Sequence, residues 1–293
     1  MRRAALIYNP RAGRQRQAEG LDGIVAALRS GGCFAEPVPT RGPGDATTLA
    51  RELAARGDVE AVFAFGGDGT VREVAAGLLG SGVPLGILPG GTVNLLAMAL
   101  GLPPDPVAAA AVLAGAPARP MDVGLAGASP FLMMVSAGLD ASVLAAVDPR
   151  LKLHFGQGAV LGHGLVEWWR YGYPPLQVVA DGERLEATFA AVSNIPYYAG
   201  AFHLAPGARL DDRRLDLVLF RGTGRVATVL FALDLLRAAH VRRRDVLIRP
   251  VEEVVFTGPA GAATQVDGDL CQETVPLTVR LAPETIPVLM PAV

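Results

Sequence analysis

The first 120 residues alternate two kinds of segment, and that alternation limits the folds open to them. Apolar β-like runs at 4–8, 33–39, 61–65 and 84–88 are each followed by a helix-like stretch, at 15–30, 45–56, 70–79 and 92–100. Strands that are apolar on both faces, each followed by a helix, build a parallel sheet covered on both sides. From about Met121 the rhythm changes. Short β-like runs at 185–192, 215–220, 254–257 and 277–281 are interrupted by one helix-like stretch, 224–240, which suits an antiparallel sandwich. A chain of 293 residues is also long for a single core. The expected architecture is α/β plus β: a parallel-sheet α/β domain over 1–120 and an antiparallel β-sandwich domain over 121–293.

In a parallel sheet every strand ends at the same edge, and ligands bind there. Four loops leave that edge: Asn9-Pro10-Arg11-Ala12-Gly13, Thr40, Gly66-Gly67-Asp68-Gly69-Thr70, and Gly90-Gly91-Thr92-Val93-Asn94. A strand running through glycines into a helix N-terminus aims backbone N–H groups at an anion. Thr70 with Glu73 reads as a capping box and Thr92 as a second N-cap, so two helix N-termini are expected at one phosphate cradle. The first domain is therefore read as phosphate-binding. A carboxylate such as Asp68 repels a phosphate unless Mg²⁺ lies between them or the carboxylate handles a proton. Both readings point to phosphoryl transfer.

Composition removes other classes. The formal net charge of −2 gives no electrostatic case for nucleic acid. Lys152 is the only lysine, so neither a phosphate-loop lysine nor a protein-kinase strand lysine exists. Cys33 and Cys271 are too few for a disulfide framework. The apolar run at the start is cut by Asn9 and Pro10, short of a signal peptide, and the uncharged stretch 74–104 is too rich in glycine and proline to span a bilayer. A cytoplasmic location is expected.

The motifs together resemble the diacylglycerol kinase catalytic domain family, which includes sphingosine, ceramide and YegS-like bacterial lipid kinases. They are Asn9-Pro10-x-x-Gly13, Thr40 with Gly44-Asp45-Ala46, Gly66 to Thr70, Pro89-Gly90-Gly91-Thr92-x-Asn94, Ala205-Pro206 through Asp211-Asp212 to Leu215-Asp216, and Val266-Asp267-Gly268-Asp269. The resemblance implies that Asn9, Pro10, Arg11, Ala12, Gly13, Thr40, Gly66, Gly67, Asp68, Gly69, Thr70, Gly91 and Thr92 hold ATP. It makes Asp269 the base that takes the proton of a lipid hydroxyl, with Asp68 counted beside it as catalytic. It gives a supporting Mg²⁺ to Asp212 and the backbone carbonyls of Arg209 and Arg214.

This sequence departs from the family pattern at four places. Alanine stands at 12 where serine is frequent, Leu95 where aspartate is frequent, Arg213 where glycine usually follows the aspartate pair, and Asp269 where glutamate is frequent.

The implied reaction is ATP- and Mg²⁺-dependent phosphorylation of a lipid hydroxyl, most simply diacylglycerol to phosphatidic acid. The rival readings are a nucleotide-binding regulatory protein without catalysis and an NAD-kinase-like enzyme. The partner expected is a lipid met at the membrane surface, through Trp168, Trp169, Tyr171 and Tyr173 near Lys152 and through the run Arg242-Arg243-Arg244. His154 and His163 are read as surface or packing residues. An open sheet edge in the second domain leaves room for a homodimer.

Overall fold

The computed structural model describes residues 2–10, 14–146, 166–200 and 202–291, side chains of 14–19 excepted. Arg11, Ala12, Gly13, Lys152, His154 and His163 lie outside the described residues. The chain divides into two units, Met1–Val123 with Pro283–Val293, and Gly124–Ala282. The sequence suggests one division near 120, whereas the chain leaves the first unit after 123 and returns to it at 283.

The first unit runs β1 (Arg2–Tyr8), α1 (Arg14–Ser30), β2 (Cys33–Pro39), α2 (Asp45–Arg56), β3 (Ala61–Gly66), α3 (Asp68–Leu78), β4 (Leu85–Pro89), α4 (Leu95–Ala99), α5 (Pro106–Leu113) and β5 (Ala118–Met121). The last strand of the chain, β20 (Ile286–Leu289), completes a six-stranded sheet in the order β2-β1-β3-β4-β20-β5. Pairings from β2 to β20 are parallel and β5 closes the edge antiparallel. Every residue of β3 and β4 is buried, which explains their unbroken apolar sequence: helices exclude water from both faces. Helix α1 packs with α5 and α2 with α3. The second pair crosses at Gly77, where a Cβ would lie 2.4 Å from the Thr47 carbonyl oxygen, so only glycine permits the approach.

The second unit contains β6 (Gly124–Ala126), β7 (Ser129–Phe131), β8 (Met134–Ala137), α6 (Leu139–Ala146), a helical stretch 166–170, β9 (Leu176–Ala180), β10 (Glu183–Ala187), β11 (Phe189–Ser193), β12 (Tyr197–Tyr198) and β13 (Phe202–His203). It continues with β14 (Leu215–Phe220), α7 (Gly224–Leu236), a 3₁₀ turn at His240–Arg242, β15 (Val246–Val251), β16 (Glu253–Gly258), β17 (Thr264–Val266), β18 (Asp269–Leu270) and β19 (Leu277–Leu281). Two antiparallel sheets, β10-β9-β16-β19-β6-β7 and β15-β14-β11-β8-β17-β18, form the sandwich. Alternate residues of the strands, among them Val178, Val254, Phe256, Val192, Leu217 and Leu219, meet in one core.

The run 185–192, read as a single strand, is two strands belonging to different sheets. The chain changes sheet at Thr188, whose N–H donates to the Phe220 carbonyl and whose hydroxyl donates to the Gly222 carbonyl at 2.5 Å. The helix expected over 224–240 stops at Leu236, because Ala238 takes a left-handed φ of 52° before the 3₁₀ turn.

Candidate functional site

Strands β1 to β4 end at Tyr8, Pro39, Gly66 and Pro89, and backbone hydrogen bonds tie their exit loops in pairs. The Thr40 N–H donates to the Tyr8 carbonyl at 2.8 Å, beside Asn9 and Pro10, and the Gly90 N–H donates to the Gly66 carbonyl at 2.8 Å. The glycines of these loops have a packing reason. None of Gly66, Gly67, Gly69, Gly90 and Gly91 has a positive φ. A Cβ on Gly91, however, would lie 2.6 Å from the Gly67 Cα, and one on Gly90 would lie 3.1 Å from the Gly66 Cα. Two backbones pass in contact here, and a methyl group on Gly91 would force them apart.

Besides α1, helices α2, α3 and α4 start on this edge, and their N-termini are treated differently. The α2 N-terminus is closed by Glu73 of α3, whose carboxylate accepts from Gly44 N at 2.9 Å and Ala46 N at 3.3 Å. The α4 N-terminus is closed by Asp68, which accepts from Leu95 N at 3.1 Å and Leu96 N at 3.2 Å. Helix α3 starts after Gly67 with no side-chain cap. Its first-turn N–H groups and positive dipole end face the loop, the arrangement that receives an anion.

Two capping expectations are thereby corrected. Thr70 and Glu73 form no capping box, because the helix already begins at Asp68 and Glu73 reaches across to α2. Thr92 is not an N-cap. Asn94 holds that position at a left-handed φ of 56°, its side chain bridging Gly91 N at 2.8 Å and Gly91 O at 3.0 Å, while Thr92 stands exposed in the loop. Burial pushes the Asp68 carboxyl above the ordinary carboxylate range, and the N–H groups of Leu95 and Leu96 pull it back. Asp68 therefore links the two glycine loops, whatever else it contacts.

In the second unit, Asp269 leaves a two-residue hairpin turn between β17 and β18. The central residues Asp267 and Gly268 carry φ values of 51° and 84°, as a type I′ turn requires. This turn is held on both sides. The buried Asp267 carboxylate accepts from the N–H groups of Leu132, Met133 and Met134, each at 2.9 Å. Asn194 braces the connection between β7 and β8 by donating to the Leu132 carbonyl at 2.9 Å.

The Gly268 N–H donates to the Gln265 side chain at 2.7 Å. The Gln265 amide donates to the Ser136 hydroxyl at 2.8 Å, and Ser136 donates to Asp140 at 2.5 Å. Tyr198 also donates to Asp140, at 3.2 Å. Burial raises the Asp140 carboxyl, its hydrogen bonds lowering it in part. Burial, then the Asp140 charge, raises the Tyr198 phenol well above its ordinary value. A chain of side chains thus runs from a buried acid to the turn that presents Asp269.

The acidic loop before β14 is a tight turn. Arg213 adopts a left-handed φ of 59° where glycine was the expected residue, and its guanidinium donates to the Ala282 carbonyl at 2.9 Å. The turn thus forms despite the substitution. Asp212 accepts from Arg214 N at 3.1 Å, and Arg209 pairs with Asp211. Asp216 is buried, and its carboxyl is raised by that burial and then by the charge of Asp212. The carboxylates of Asp212 and Asp216 and the backbone carbonyls of Arg209 and Arg214 belong to the same segment and are oxygen donors of the kind a hard cation takes. No group of three or more His, Cys, Asp or Glu is gathered among the described residues, but Mg²⁺ needs only one or two carboxylates and keeps its waters.

Sequence reasoning missed Glu73 as the cap of α2, and it missed Ser136, Asp140, Asn194, Tyr198 and Gln265. The available signal was polarity out of place, since Ser136 and Asp140 interrupt an otherwise apolar run from Phe131.

Known proteins show the same organisation. Residues 3–126 match the model of the diacylglycerol kinase catalytic domain, and residues 133–290 match that of the YegS C-terminal NAD kinase beta sandwich-like domain. A protein named diacylglycerol kinase from Bacillus subtilis (strain 168) is 28% identical over 275 residues, covering 92% of this chain and 90% of its own. A "Probable lipid kinase YegS-like" from Chromohalobacter salexigens is 35% identical over 222 residues, covering 74% of this chain and 70% of its own. A solved structure from Bacillus anthracis str. Sterne that carries the diacylglycerol kinase name superposes with a TM-score of 0.82 at 26% identity, covering 98% of this chain and 95% of that one.

Proposed function

We propose that this chain, a lipid kinase that belongs to the diacylglycerol kinase catalytic domain family, transfers the γ-phosphate of ATP to the hydroxyl of diacylglycerol and releases phosphatidic acid. The observation that carries the nucleotide half is the open N-terminus of α3 between two helices whose N-termini are already filled by Glu73 and Asp68. The polyphosphate lies against Gly66, Gly67, Gly69 and Thr70, with Asn9, Pro10, Thr40, Gly91 and Thr92 around it.

The acceptor is an alcohol, a weak nucleophile until a base removes its proton. Asp269 takes that proton as the lipid oxygen bonds to the γ-phosphorus, the bond to the bridging oxygen breaks, and ADP leaves with the electron pair. The hairpin lock of Asp267 and Gln265 fixes the turn from which the shorter aspartate side chain projects, which favours general-base action. Asp212, with the backbone carbonyls of Arg209 and Arg214, would hold a Mg²⁺ ion, whose positive charge would offset the acidic loop. The substrate lies in a membrane, so contact is peripheral; no helix among the described residues is long and apolar enough to cross a bilayer.

The test is phosphate transfer from labelled ATP to diacylglycerol, sphingosine, ceramide and a polyprenol in mixed micelles, with NAD as a soluble acceptor. NAD is included because the model matching the second unit is described as NAD kinase beta sandwich-like. Product from diacylglycerol, falling about 10²- to 10⁴-fold in Asp269→Asn, is the expected result. ATP binding with no product from any acceptor would mean a regulatory nucleotide-binding protein instead.

A further inference from the structure

We propose that the exposed apolar stripe of α7, with Trp169 beside it and arginines around it, docks this protein onto an anionic lipid bilayer. The proposal deepens the lipid-kinase reading by naming the surface that reaches the membrane.

Helix α7 is apolar on two sides. One side faces the sandwich: Phe231 and Leu235 are buried, and the Phe231 ring stacks on Phe220 with centroids 4.4 Å apart. Val226, Val229, Leu230, Leu233 and Leu236 point the other way. At 3.6 residues per turn these five positions fall within an arc of about 120°, opposite Phe231. Val226 is 75% exposed and Leu236 57%. A helix lying on a globular surface ordinarily shows polar residues there. Of the eleven large hydrophobic residues exposed among the described residues, these are five, and Val166, Trp169 and Val241 flank them. The remaining three are scattered, so the clustering is local to this face.

The charges around the stripe say what covers it. The segments 166–170 and 221–245 hold seven arginines against Glu167, Asp234 and Asp245, in a chain whose formal net charge is −2. Arg243 binds both aspartates, at 2.7 Å each. Arg221, Arg225, Arg237, Arg242 and Arg244 stand exposed around the apolar face. The Arg225 guanidinium lies over the Trp169 ring, 4.4 Å from its centroid, and donates to the Trp169 carbonyl. An indole beside guanidinium groups, at the edge of an aliphatic stripe, matches the zone between acyl chains and anionic headgroups. A second copy of the chain would bring two arginine rims together and repel.

The test is co-sedimentation with phosphatidylcholine vesicles and with phosphatidylcholine–phosphatidylglycerol vesicles, without nucleotide. The wild type is expected to bind the anionic vesicles, to release them as salt rises, and to leave phosphatidylcholine alone. The variant Val226→Ser/Leu230→Ser/Leu233→Ser should bind on the order of a hundredfold more weakly. Arg237→Gln and Arg242→Gln should each cost roughly fivefold. All these positions are exposed, so an unchanged near-ultraviolet circular dichroism spectrum shows the fold is kept.

Wild-type affinity in the serine variant overturns the proposal. So does a dimer-to-monomer shift in that variant with vesicle binding intact, which means that a second copy covers the stripe. The two readings fail separately. A protein that binds vesicles but phosphorylates nothing keeps the surface and loses the kinase; one that phosphorylates micellar lipid but ignores vesicles does the reverse.

Discussion

Asp267 is the residue whose removal should most damage the second unit, and the size of the effect follows from its three partners. Its buried carboxylate accepts from Leu132, Met133 and Met134 N–H at 2.9 Å each. Hydrogen bonds to a charged group contribute about 1.5–3 kcal/mol each, and donors left buried without an acceptor cost about 1–3 kcal/mol. Asp267→Ala leaves three such donors, of which loop relaxation re-solvates some, and it also places alanine at a φ of 51°. We predict a loss of about 4–6 kcal/mol. Asp267→Asn keeps one acceptor oxygen and tolerates the left-handed conformation, but turns an amide donor towards the Leu132 N–H; its predicted loss is about 2–3 kcal/mol.

For a unit of this size each kcal/mol moves the melting temperature by about 2–4 °C, so the expected falls are roughly 10–20 °C and 5–10 °C. Calorimetry on the intact protein measures both. Losses under about 0.5 kcal/mol, or asparagine as damaging as alanine, would refute the claim that the carboxylate organises the turn.

Three further outcomes are expected. Glu73→Ala should lose about 1–2 kcal/mol by uncapping α2, with faster amide exchange at Ala46, and Glu73→Gln roughly half of that. Gly91→Ala pushes a methyl group against the Gly67 Cα and should weaken ATP binding in a calorimetric titration while the second unit melts as before. Because burial raises the folded Asp140 carboxyl above its unfolded value, the folded state holds the proton more tightly. Its contribution is therefore full below the unfolded carboxylate range and is lost as pH rises through the folded value. The stability of wild type relative to Asp140→Asn should fall across that window in denaturant titrations, and a flat difference would show that Asp140 titrates normally.

The strands and helices of the first unit were readable because burial on both faces leaves an apolar signature that local sequence carries. The loops at the sheet edge were readable too, but for a mixed reason. Glycines that packing demands and glycines that a phosphate demands look the same in a sequence, and here Gly91 and Gly67 meet each other. Capping was the least readable feature. Ser, Thr and Glu spacing predicts a cap within one helix, whereas Glu73 and Asp68 each cap a different helix from the one they sit on. The change of sheet at Thr188 was invisible for a similar reason, since its partners Phe220 and Gly222 are more than thirty residues away. The return of β20 to the first sheet rests on four antiparallel pairs with β5 and one parallel pair with β4, Val288 with Leu85, long-range partners that no periodicity in a four-residue strand can encode.

The position of Asp68 bears directly on why this edge suits a phosphate. A carboxylate on the first turn of α3 would by itself repel the anion that the helix N-terminus attracts. That charge is instead directed at the N-terminus of α4, where Leu95 and Leu96 N–H groups and a second helix dipole stabilise it. Glu73 does the same for α2. Each carboxylate on α3 thus satisfies a neighbouring helix, while Gly67, which precedes α3, offers the α3 N-terminus no side-chain cap. If so, Asp68→Ala should loosen α4 by about 1–2 kcal/mol yet leave ATP affinity undiminished or slightly higher, as long as the two glycine loops stay in contact. A large loss of ATP affinity with α4 intact would instead mean that Asp68 meets the nucleotide through a bound cation, and calorimetric titration of ATP with and without Mg²⁺ separates the two.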